Sequence, residues 1–164
     1  MIRIAYNKRD YSGPIYQCHM TELTDYTYYH PITVRFADLD AQGHVNNAIY
    51  LTYLESARLG YYEKVGIWRR ESGVQTGMVV AHIDIDYLAP IFFGQAIQVG
   101  LKLGHMGHKS FTLEFIIETV QGKTPLARGT SVLVPYDSQA EKSMPIPLGW
   151  RENMLIFEQS KGES

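Results

Sequence analysis

Residues 35–58 read RFADLDAQGHVNNAIYLTYLESAR, and this stretch joins a dense group of reactive polar side chains to the start of a long apolar helix pattern. The strand-like run YTYYHPITVRF, residues 26–36, leads into it. A polar loop containing Gly43 follows, and from Ala48 onward apolar residues recur at helical spacing. Either Asn46 or Asn47 fits the N-cap position, because an asparagine side chain accepts a hydrogen bond from a first-turn amide. The stretch therefore predicts a strand, an acidic turn and a helix N-terminus.

Several polar side chains of this turn are spaced so that they converge. Asp40 and His44 are four residues apart, with Gln42 between them and Asn46 just beyond. A helix start offers unpaired N–H groups and the positive end of the helix dipole. Such amides can bind the carbonyl oxygen of a substrate while a carboxylate lies on the other side of the carbonyl carbon. With an imidazole nearby, these groups form a minimal apparatus for acyl transfer. Asp and Asn before a helix also serve simply as caps, so spacing alone leaves both interpretations open.

The motif D-x-D-x-x-G-H-V-N-N-x-x-Y-x-x-Y-x-E-x-A-R, residues 38–58, resembles the hotdog-fold acyl thioesterases of the 4-hydroxybenzoyl-CoA thioesterase type. It is also similar to the D-x-N-x-H-V-N-N segment of plant acyl-ACP thioesterases, with Gln42 in place of the asparagine. The resemblance implies that Asp40 acts as nucleophile or as base toward water, with His44, Gln42 and Asn46 beside it. The plant enzymes also use a glutamate that aligns near Pro90, where this chain has no acid. Their complete residue set is therefore not carried over.

The amides at the helix start are expected to hold the oxyanion, and they belong to Val45, Asn47 and Ala48. A CoA or phosphopantetheine arm also needs basic residues for its phosphates. The expected substrate contacts are Lys109, His82, Arg69 and Arg70. No glycine-rich phosphate motif occurs, so nucleotide hydrolysis and nicotinamide chemistry are unsupported. We predict no cofactor and no metal.

Composition excludes several other classes of protein. The chain has 164 residues, a formal net charge of −2 and a pI near 6.3, which give no general attraction to nucleic acid or to an anionic membrane. Cys18 is the single cysteine, and a structural role is favoured for it over a nucleophilic one. Neither a signal peptide nor a membrane span is indicated by the apolar runs. A reducing cytoplasm is the expected location.

The rest of the chain predicts an α+β hotdog fold, in which an antiparallel sheet of about five strands wraps around one long helix. The first strand covers residues 27–36 and the helix ends at Gly66. Four further strand-like runs cover residues 78–88, 95–106, 110–120 and 124–136. We expect an N-terminal arm over 1–24, a hotdog domain over 25–146, and a C-terminal unit over 147–164, in which residues 147–157 form a short helix and residues 158–164 are a frayed tail. Glu55 and Arg58 are expected to pair on the helix.

The predicted activity is hydrolysis of an acyl-CoA thioester, or of an acyl carrier protein thioester, to free acid and thiol. Two alternatives remain open: a hotdog hydratase or dehydratase on acyl thioesters, and a non-catalytic module that binds them. The family resemblance also implies a homodimer or homotetramer in which sheets pair edge to edge. Neither the acyl group nor the choice between nucleophile and base for Asp40 follows from the sequence.

Overall fold

The computed structural model describes residues 26–68 and 76–161. Within them, five long strands form one antiparallel sheet and a two-residue strand extends it. In chain order the strands are β1 (Tyr28–Thr33), β2 (Thr76–Tyr87), β3 (Ala96–Met106), β4 (Phe111–Thr119), β5 (Pro125–Asp137) and β6 (Lys142–Ser143). Across the sheet the order is β1-β3-β4-β5-β2, with β6 paired to β5. The four strands predicted after the helix are confirmed, with small differences at their ends.

The first strand is shorter than predicted. It ends at Thr33, and residues Phe36–Asp38 form a turn of 3₁₀ helix instead of continuing the strand. Asp38 causes this turn, because its carboxylate accepts hydrogen bonds from both the backbone and the side chain of Arg35. The chain therefore leaves the sheet before the acidic turn begins.

A long helix, α1 (Asn47–Lys64), lies against the sheet, and both of its predicted ends are confirmed. Asn46 is the N-cap, and Gly66 adopts a positive φ of 73° just after the C-cap. The sheet presents an alternating apolar face to this helix, because every second residue of a strand points the same way. On β4 that face consists of Phe111, Leu113, Phe115 and Ile117, which are all essentially inaccessible to solvent. One apolar core thus joins helix and sheet, and the architecture is the predicted hotdog fold.

The contact between α1 and β1 requires a glycine. A Cβ added to Gly60 would collide with Oη of Tyr28 and lie 3.0 Å from Nδ1 of His30. The glycine lets the helix approach the strand closely, which fixes the position of α1 over this end of the sheet.

The C-terminal helix is longer than the sequence predicts. It is α2 (Leu148–Lys161), so the expectation of a frayed tail from residue 158 is wrong for residues 158–161. Glu158 explains the extension, because its carboxylate accepts hydrogen bonds from Tyr61 Oη at 2.9 Å, Thr27 Oγ1 at 3.0 Å and the Leu103 amide at 3.1 Å. Burial raises the pKa of Tyr61, and the Glu158 charge raises it further. The end of α2 is therefore tied to both the sheet and α1.

The expected ion pair between Glu55 and Arg58 is also wrong. Glu55 is exposed, Arg58 is buried, and no ion pair joins them in the described parts of the chain. In residues 26–68 and 76–161 no helix is long and apolar enough to cross a bilayer. The predicted N-terminal arm over 1–24, which includes Cys18, lies outside the described residues.

Candidate active site

The acidic turn between β1 and α1 is closed by backbone hydrogen bonds. The Asp40 amide donates to the His44 carbonyl at 2.9 Å, and the Gly43 amide donates to the Asp40 carbonyl at 3.0 Å. Gly43 has φ +83°, a conformation that glycine adopts without the steric cost a Cβ would add. Leu39 and Val45 pair as an antiparallel bridge on either side of the turn. The turn is therefore a small hairpin that points Asp40 and His44 toward each other.

Asp38 anchors this hairpin. Its carboxylate is buried and accepts from Arg35 Nη2 at 2.7 Å, the Arg35 amide at 2.8 Å and Tyr53 Oη at 2.9 Å. The hydrogen bond from the Arg35 guanidinium is the main reason that the pKa of Asp38 lies below its usual value. Burial, together with the neighbouring carboxylate, raises the pKa of the Tyr53 hydroxyl. The Asp38 carbonyl also accepts from the Asn46 amide at 2.9 Å, so Asp38 ties the strand, the hairpin and the helix start together.

Sequence reasoning did not assign this role to Asp38. The signal was present in the three-residue spacing of Arg35 and Asp38, which suits a short-range ion pair in a helical turn. The sequence does not show which acid of the D-x-D motif is buried. The structure shows that Asp38 is buried and that Asp40 is accessible.

Asp40, Gln42 and His44 form one cluster. Asp40 Oδ2 lies 3.4 Å from His44 Nδ1, and Asp40 Oδ1 accepts the Gln42 amide at 2.8 Å. His44 Nε2 lies 3.2 Å from Gln42 Oε1. The side chains of Asp40 and His44 are 25% and 32% exposed, so both remain open to a substrate. The predicted convergence of these three residues is thus present in the structure.

The imidazole lies between two possible acceptors. When Nδ1 carries a proton toward Asp40, Nε2 of a neutral ring is an acceptor and matches the amide nitrogen of Gln42. When the ring is an imidazolium, it donates to the Asp40 carboxylate and to the Gln42 oxygen. Gln42 can donate to Nε2 or accept from it by a rotation of its amide, so it holds the imidazole in one orientation with either tautomer.

Of the three amides expected to hold the oxyanion, two already have hydrogen-bond partners within the described part of the chain. The Val45 amide donates to the Ile91 carbonyl at 2.8 Å, and the Ala48 amide donates to Asn46 Oδ1 at 2.9 Å. The expectation that Val45 and Ala48 offer free N–H groups is therefore wrong. The Asn47 amide has no hydrogen-bond partner among residues 26–68 and 76–161. Asn46 is the cap that positions this amide, and the dipole of α1 adds partial positive charge to it.

A segment between β2 and β3 forms the next wall of the site. Phe92 pairs with His44 as an isolated antiparallel bridge. The carbonyl of the preceding residue, Ile91, accepts a hydrogen bond from the Val45 amide. Phe92 is largely exposed, and so are Phe93 and Phe36, whose rings stack edge to face at 6.1 Å. Sequence reasoning missed these aromatics, although two adjacent phenylalanines in a Pro- and Gly-flanked turn were a visible signal. They give the site an apolar border.

The weaker substrate contacts are not gathered at this cluster within one chain. Lys109 lies in the turn after β3, whereas the Phe92 segment precedes β3, so about 30 Å of strand separates them. His82 is exposed in the middle of β2, next to an irregularity in the pairing with β5. Arg69 and Arg70 lie outside the described residues.

A separate cavity of about 250 Å³ lies between β1 and α1. Its lining includes His30, Thr33, Arg35, Thr52 and Ser56, and it does not include Asp40 or His44. The Asp40 and His44 side chains, at 25% and 32% exposure, are instead open to solvent beside the N-terminal end of α1.

Comparison with known proteins agrees with the fold and with the position of the motif. The family model described as the thioesterase-like superfamily matches residues 34–154, which include the whole acidic turn and α1. This chain belongs to the thioesterase-like superfamily. The match begins one residue before Arg35, so it covers the Asp38 anchor as well as the Asp40 cluster.

Named members of the superfamily are similar to most of this chain. The long-chain acyl-CoA thioesterase FadM of Escherichia coli is 28% identical over 123 residues, which are 75% of this chain and 93% of FadM. A 1,4-dihydroxy-2-naphthoyl-CoA hydrolase of Synechococcus elongatus is 26% identical over 117 residues, which are 70% of this chain and 85% of that protein. Both relatives are named for hydrolysis of a CoA thioester.

Solved structures of superfamily members share the fold. A thioesterase from Thermus thermophilus, crystallised with coenzyme A and Zn, aligns with a TM-score of 0.72 at 30% identity and covers 84% of this chain and 98% of its own. A putative thioesterase from Pseudomonas aeruginosa aligns with a TM-score of 0.71 at 32% identity, and the alignment covers 78% of this chain and 98% of that protein. The α+β sheet and helix described above are therefore a thioesterase architecture.

Proposed function

We propose that this protein hydrolyses acyl-CoA thioesters to a free acid and CoA. The observation that carries the proposal is the placement of an accessible carboxylate, Asp40, in a hairpin that leads to the Asn47 amide at the start of α1, which has no hydrogen-bond partner among the described residues. The names of FadM and of the naphthoyl-CoA hydrolase support a CoA thioester as the substrate. The motif over residues 38–58 supports the 4-hydroxybenzoyl-CoA type within the superfamily, and an acyl carrier protein thioester is the second substrate class. A cytoplasmic location stays a prediction of the sequence.

The proposed chemistry assigns a role to each residue of the cluster. The Asn47 amide and the α1 dipole polarise the thioester carbonyl, because negative charge on its oxygen is stabilised there. Asp40 then either attacks the carbonyl carbon, with the thiolate leaving and water cleaving the resulting anhydride, or takes a proton from the attacking water. His44 orients the carboxylate from 3.4 Å, and Gln42 orients the imidazole. Asn46 contributes indirectly, because its side chain caps the start of α1 and accepts from the Ala48 amide.

We also propose that the active form is at least a homodimer, with the homotetramer as the larger alternative. β2 ends the sheet and pairs only with β5 among the described strands, while Val79 and Val80 on it are 45% and 39% exposed. A long apolar edge strand is a template for pairing with another chain. Tyr87, at the end of β2, donates to the Asn47 carbonyl at 3.2 Å, so a partner on β2 would lie next to the candidate site.

A graded panel of acyl-CoAs tests the activity. Purified protein is expected to release thiol, measured with a thiol-trapping reagent, and the preferred chain length or aromatic group would identify the acyl pocket. Crotonyl-CoA is the discriminating substrate: loss of the enoyl absorbance without thiol release would show the hydratase alternative. Thermal stabilisation by acyl-CoA with no turnover across the panel would show a binding module instead.

A further inference from the structure

Three exposed phenylalanines lie together beside the candidate site and form an aromatic border, which consists of Phe36, Phe92 and Phe93. They are 77%, 46% and 59% exposed, and the rings of Phe36 and Phe93 stack edge to face at 6.1 Å. Leaving large apolar side chains in water costs free energy, and a contiguous exposed group of them commonly marks a binding surface. A ligand is therefore expected on these rings.

Phe92 presents its ring on the same side as His44. The two residues lie directly opposite each other in an antiparallel bridge. Opposite residues in such a pair share one face, with Cβ atoms about 4.5–5.5 Å apart. Asp40 Oδ2 lies 3.4 Å from His44 Nδ1. A thioester held at Asp40 is therefore within reach of the Phe92 ring.

The backbone holds the aromatic border in place. The Phe92 amide donates to Gln95 Oε1 at 2.8 Å, and the Phe92 carbonyl accepts from the Gln95 amide at 3.3 Å. Gly94, inside this turn, has φ +81°. Phe36 begins the 3₁₀ turn whose last residue is the buried anchor Asp38. Since the surface is already formed, a ligand binds it without the cost of ordering these segments.

The openness of the aromatic border favours the thiol half of a thioester over its acyl half. An acyl chain is apolar throughout and is bound best where it is fully removed from water. The pantetheine arm instead carries a gem-dimethyl group beside a hydroxyl and two amides, so it needs an apolar contact on one side and water on the other. Asp40 follows Phe36 by four positions, a span of at most about 14 Å, which an extended arm can cover.

We infer that the aromatic border binds the pantetheine arm of the substrate. The Phe36 and Phe93 rings lie against its gem-dimethyl group, and the Phe92 ring lies next to the thioester sulfur. This assignment deepens the proposed function and depends on it, because the arm is placed from a carbonyl held between Asp40 and the Asn47 amide. CoA and acyl carrier protein carry the same arm, so the border recognises it on either carrier.

Truncation of the thiol half of the substrate tests the contact. The acyl group that the wild type prefers is presented on CoA, on acyl carrier protein, on pantetheine and on N-acetylcysteamine, which lacks the gem-dimethyl group. Phe36→Ala and Phe93→Ala are each expected to lower kcat/KM about 10-fold for the three thioesters that contain the arm. The loss on the N-acetylcysteamine thioester is expected to stay below about twofold. The wild-type rates on CoA and on acyl carrier protein identify the carrier.

Leu148→Ala is the matched control, because Leu148 is 75% exposed and also apolar. It begins α2, just after Ile146, whose amide donates to the His108 carbonyl in the turn that follows β3. The Phe92 segment lies at the other end of β3. The control is therefore expected to keep wild-type kcat/KM on all four thioesters.

Four results would overturn the inference. Equal losses on all four thioesters would show a general effect on the site, and no loss on any would show that the border does not touch the substrate. Losses that grow with acyl length on CoA would assign the border to the acyl half. Dissociation of an oligomer by Phe36→Ala, measured by light scattering, would assign it to a contact with a second copy.

Binding of free CoA keeps this inference apart from the proposed function. Titration calorimetry is expected to give a Kd for CoA about 10-fold higher with Phe36→Ala than with the wild type or Leu148→Ala. That result without thiol release supports the arm contact and refutes the proposed hydrolysis. Thiol release with Kd and kcat/KM unaffected by Phe36→Ala refutes the arm contact and leaves hydrolysis standing. A wild type that neither binds CoA nor releases thiol refutes both.

Discussion

At the scale of single residues, the chemistry depends on the contrast between two acids two positions apart. Asp38 is buried and paired with Arg35, whereas the Asp40 carboxylate is accessible and, among the described residues, has the Gln42 amide and His44 as its polar partners. The first is thereby committed to holding the hairpin, and the second is available to a substrate. Substitution of each acid by its amide should separate these two roles.

Asp40→Asn is expected to lower thiol release by at least about 10²-fold, because an amide is neither a base nor a nucleophile for this reaction. Its melting temperature should stay close to that of the wild type, since an amide oxygen can still accept from the Gln42 amide. Thiol trapping and thermal melting followed by circular dichroism measure the two effects. Turnover at the wild-type rate would remove Asp40 from the mechanism.

Asp38→Asn should instead reduce stability by about 1–3 kcal/mol, since it weakens a buried, charge-assisted set of hydrogen bonds. The lowered pKa of Asp38 stabilises the fold above the unfolded value of about 3.9 and loses that contribution as pH falls through the folded value. Wild-type protein should therefore lose melting temperature more steeply than the variant below about pH 4. Parallel slopes in the two proteins would contradict this role.

His44→Ala is expected to reduce kcat by about 10²–10³-fold if the imidazole supports the charge that develops on the substrate oxygen. The Asp40 carboxylate would also lose its neighbour at 3.4 Å. Steady-state kinetics on the best acyl-CoA provide the measurement. A reduction within a factor of about three would assign His44 to hairpin structure and not to the transition state.

At the scale of elements, the position of α1 over the sheet depends on the missing side chain of Gly60. Gly60→Ala should destabilise the protein by about 1–3 kcal/mol, because the new methyl group overlaps Tyr28 and crowds His30. Gly149→Ala is the matched control, since a Cβ there meets nothing within 4 Å and alanine favours the helical state of α2. Chemical denaturation gives both values. Equal effects from the two substitutions would show that the close approach of α1 and β1 is not constrained.

At the scale of the whole molecule, the unpaired edge of β2 and the candidate site lie close together. Val79→Lys places a charge on this edge and is expected to convert the dimer to monomer by light scattering, with loss of thiol release. Val120→Lys changes an equally exposed valine beyond the end of β4 and should leave both properties unchanged. A Val79→Lys protein that remains an active dimer would place the subunit contact elsewhere.

Much of the fold was predictable because its signals are local. Three signals depend only on residues close together in the chain: the helical spacing from Ala48, the glycine at position 66 and the alternating apolar residues of four strands. The structure confirms the helix, its end and the four strands. The convergence of Asp40, Gln42 and His44 is also local, because one hairpin contains all three. The extension of α2 was missed since Glu158 is held by residues far away in sequence.

The sequence by itself determined the succession of strands and helices along the chain, an asparagine N-cap at position 46 or 47, and the reactive cluster of the acidic turn, because each is set by residues within a few positions of one another. Only the tertiary structure decided which amide is open to a substrate. The Val45 amide donates to the carbonyl of Ile91, a residue that follows β2 in the chain. The Asn47 amide has no such partner among the described residues. Likewise, the sequence does not show that Arg58 is buried, or that its Nη1 has no hydrogen-bond partner among the described residues. Long-range packing makes these choices, since it alone determines which polar groups lose water and which already have a partner.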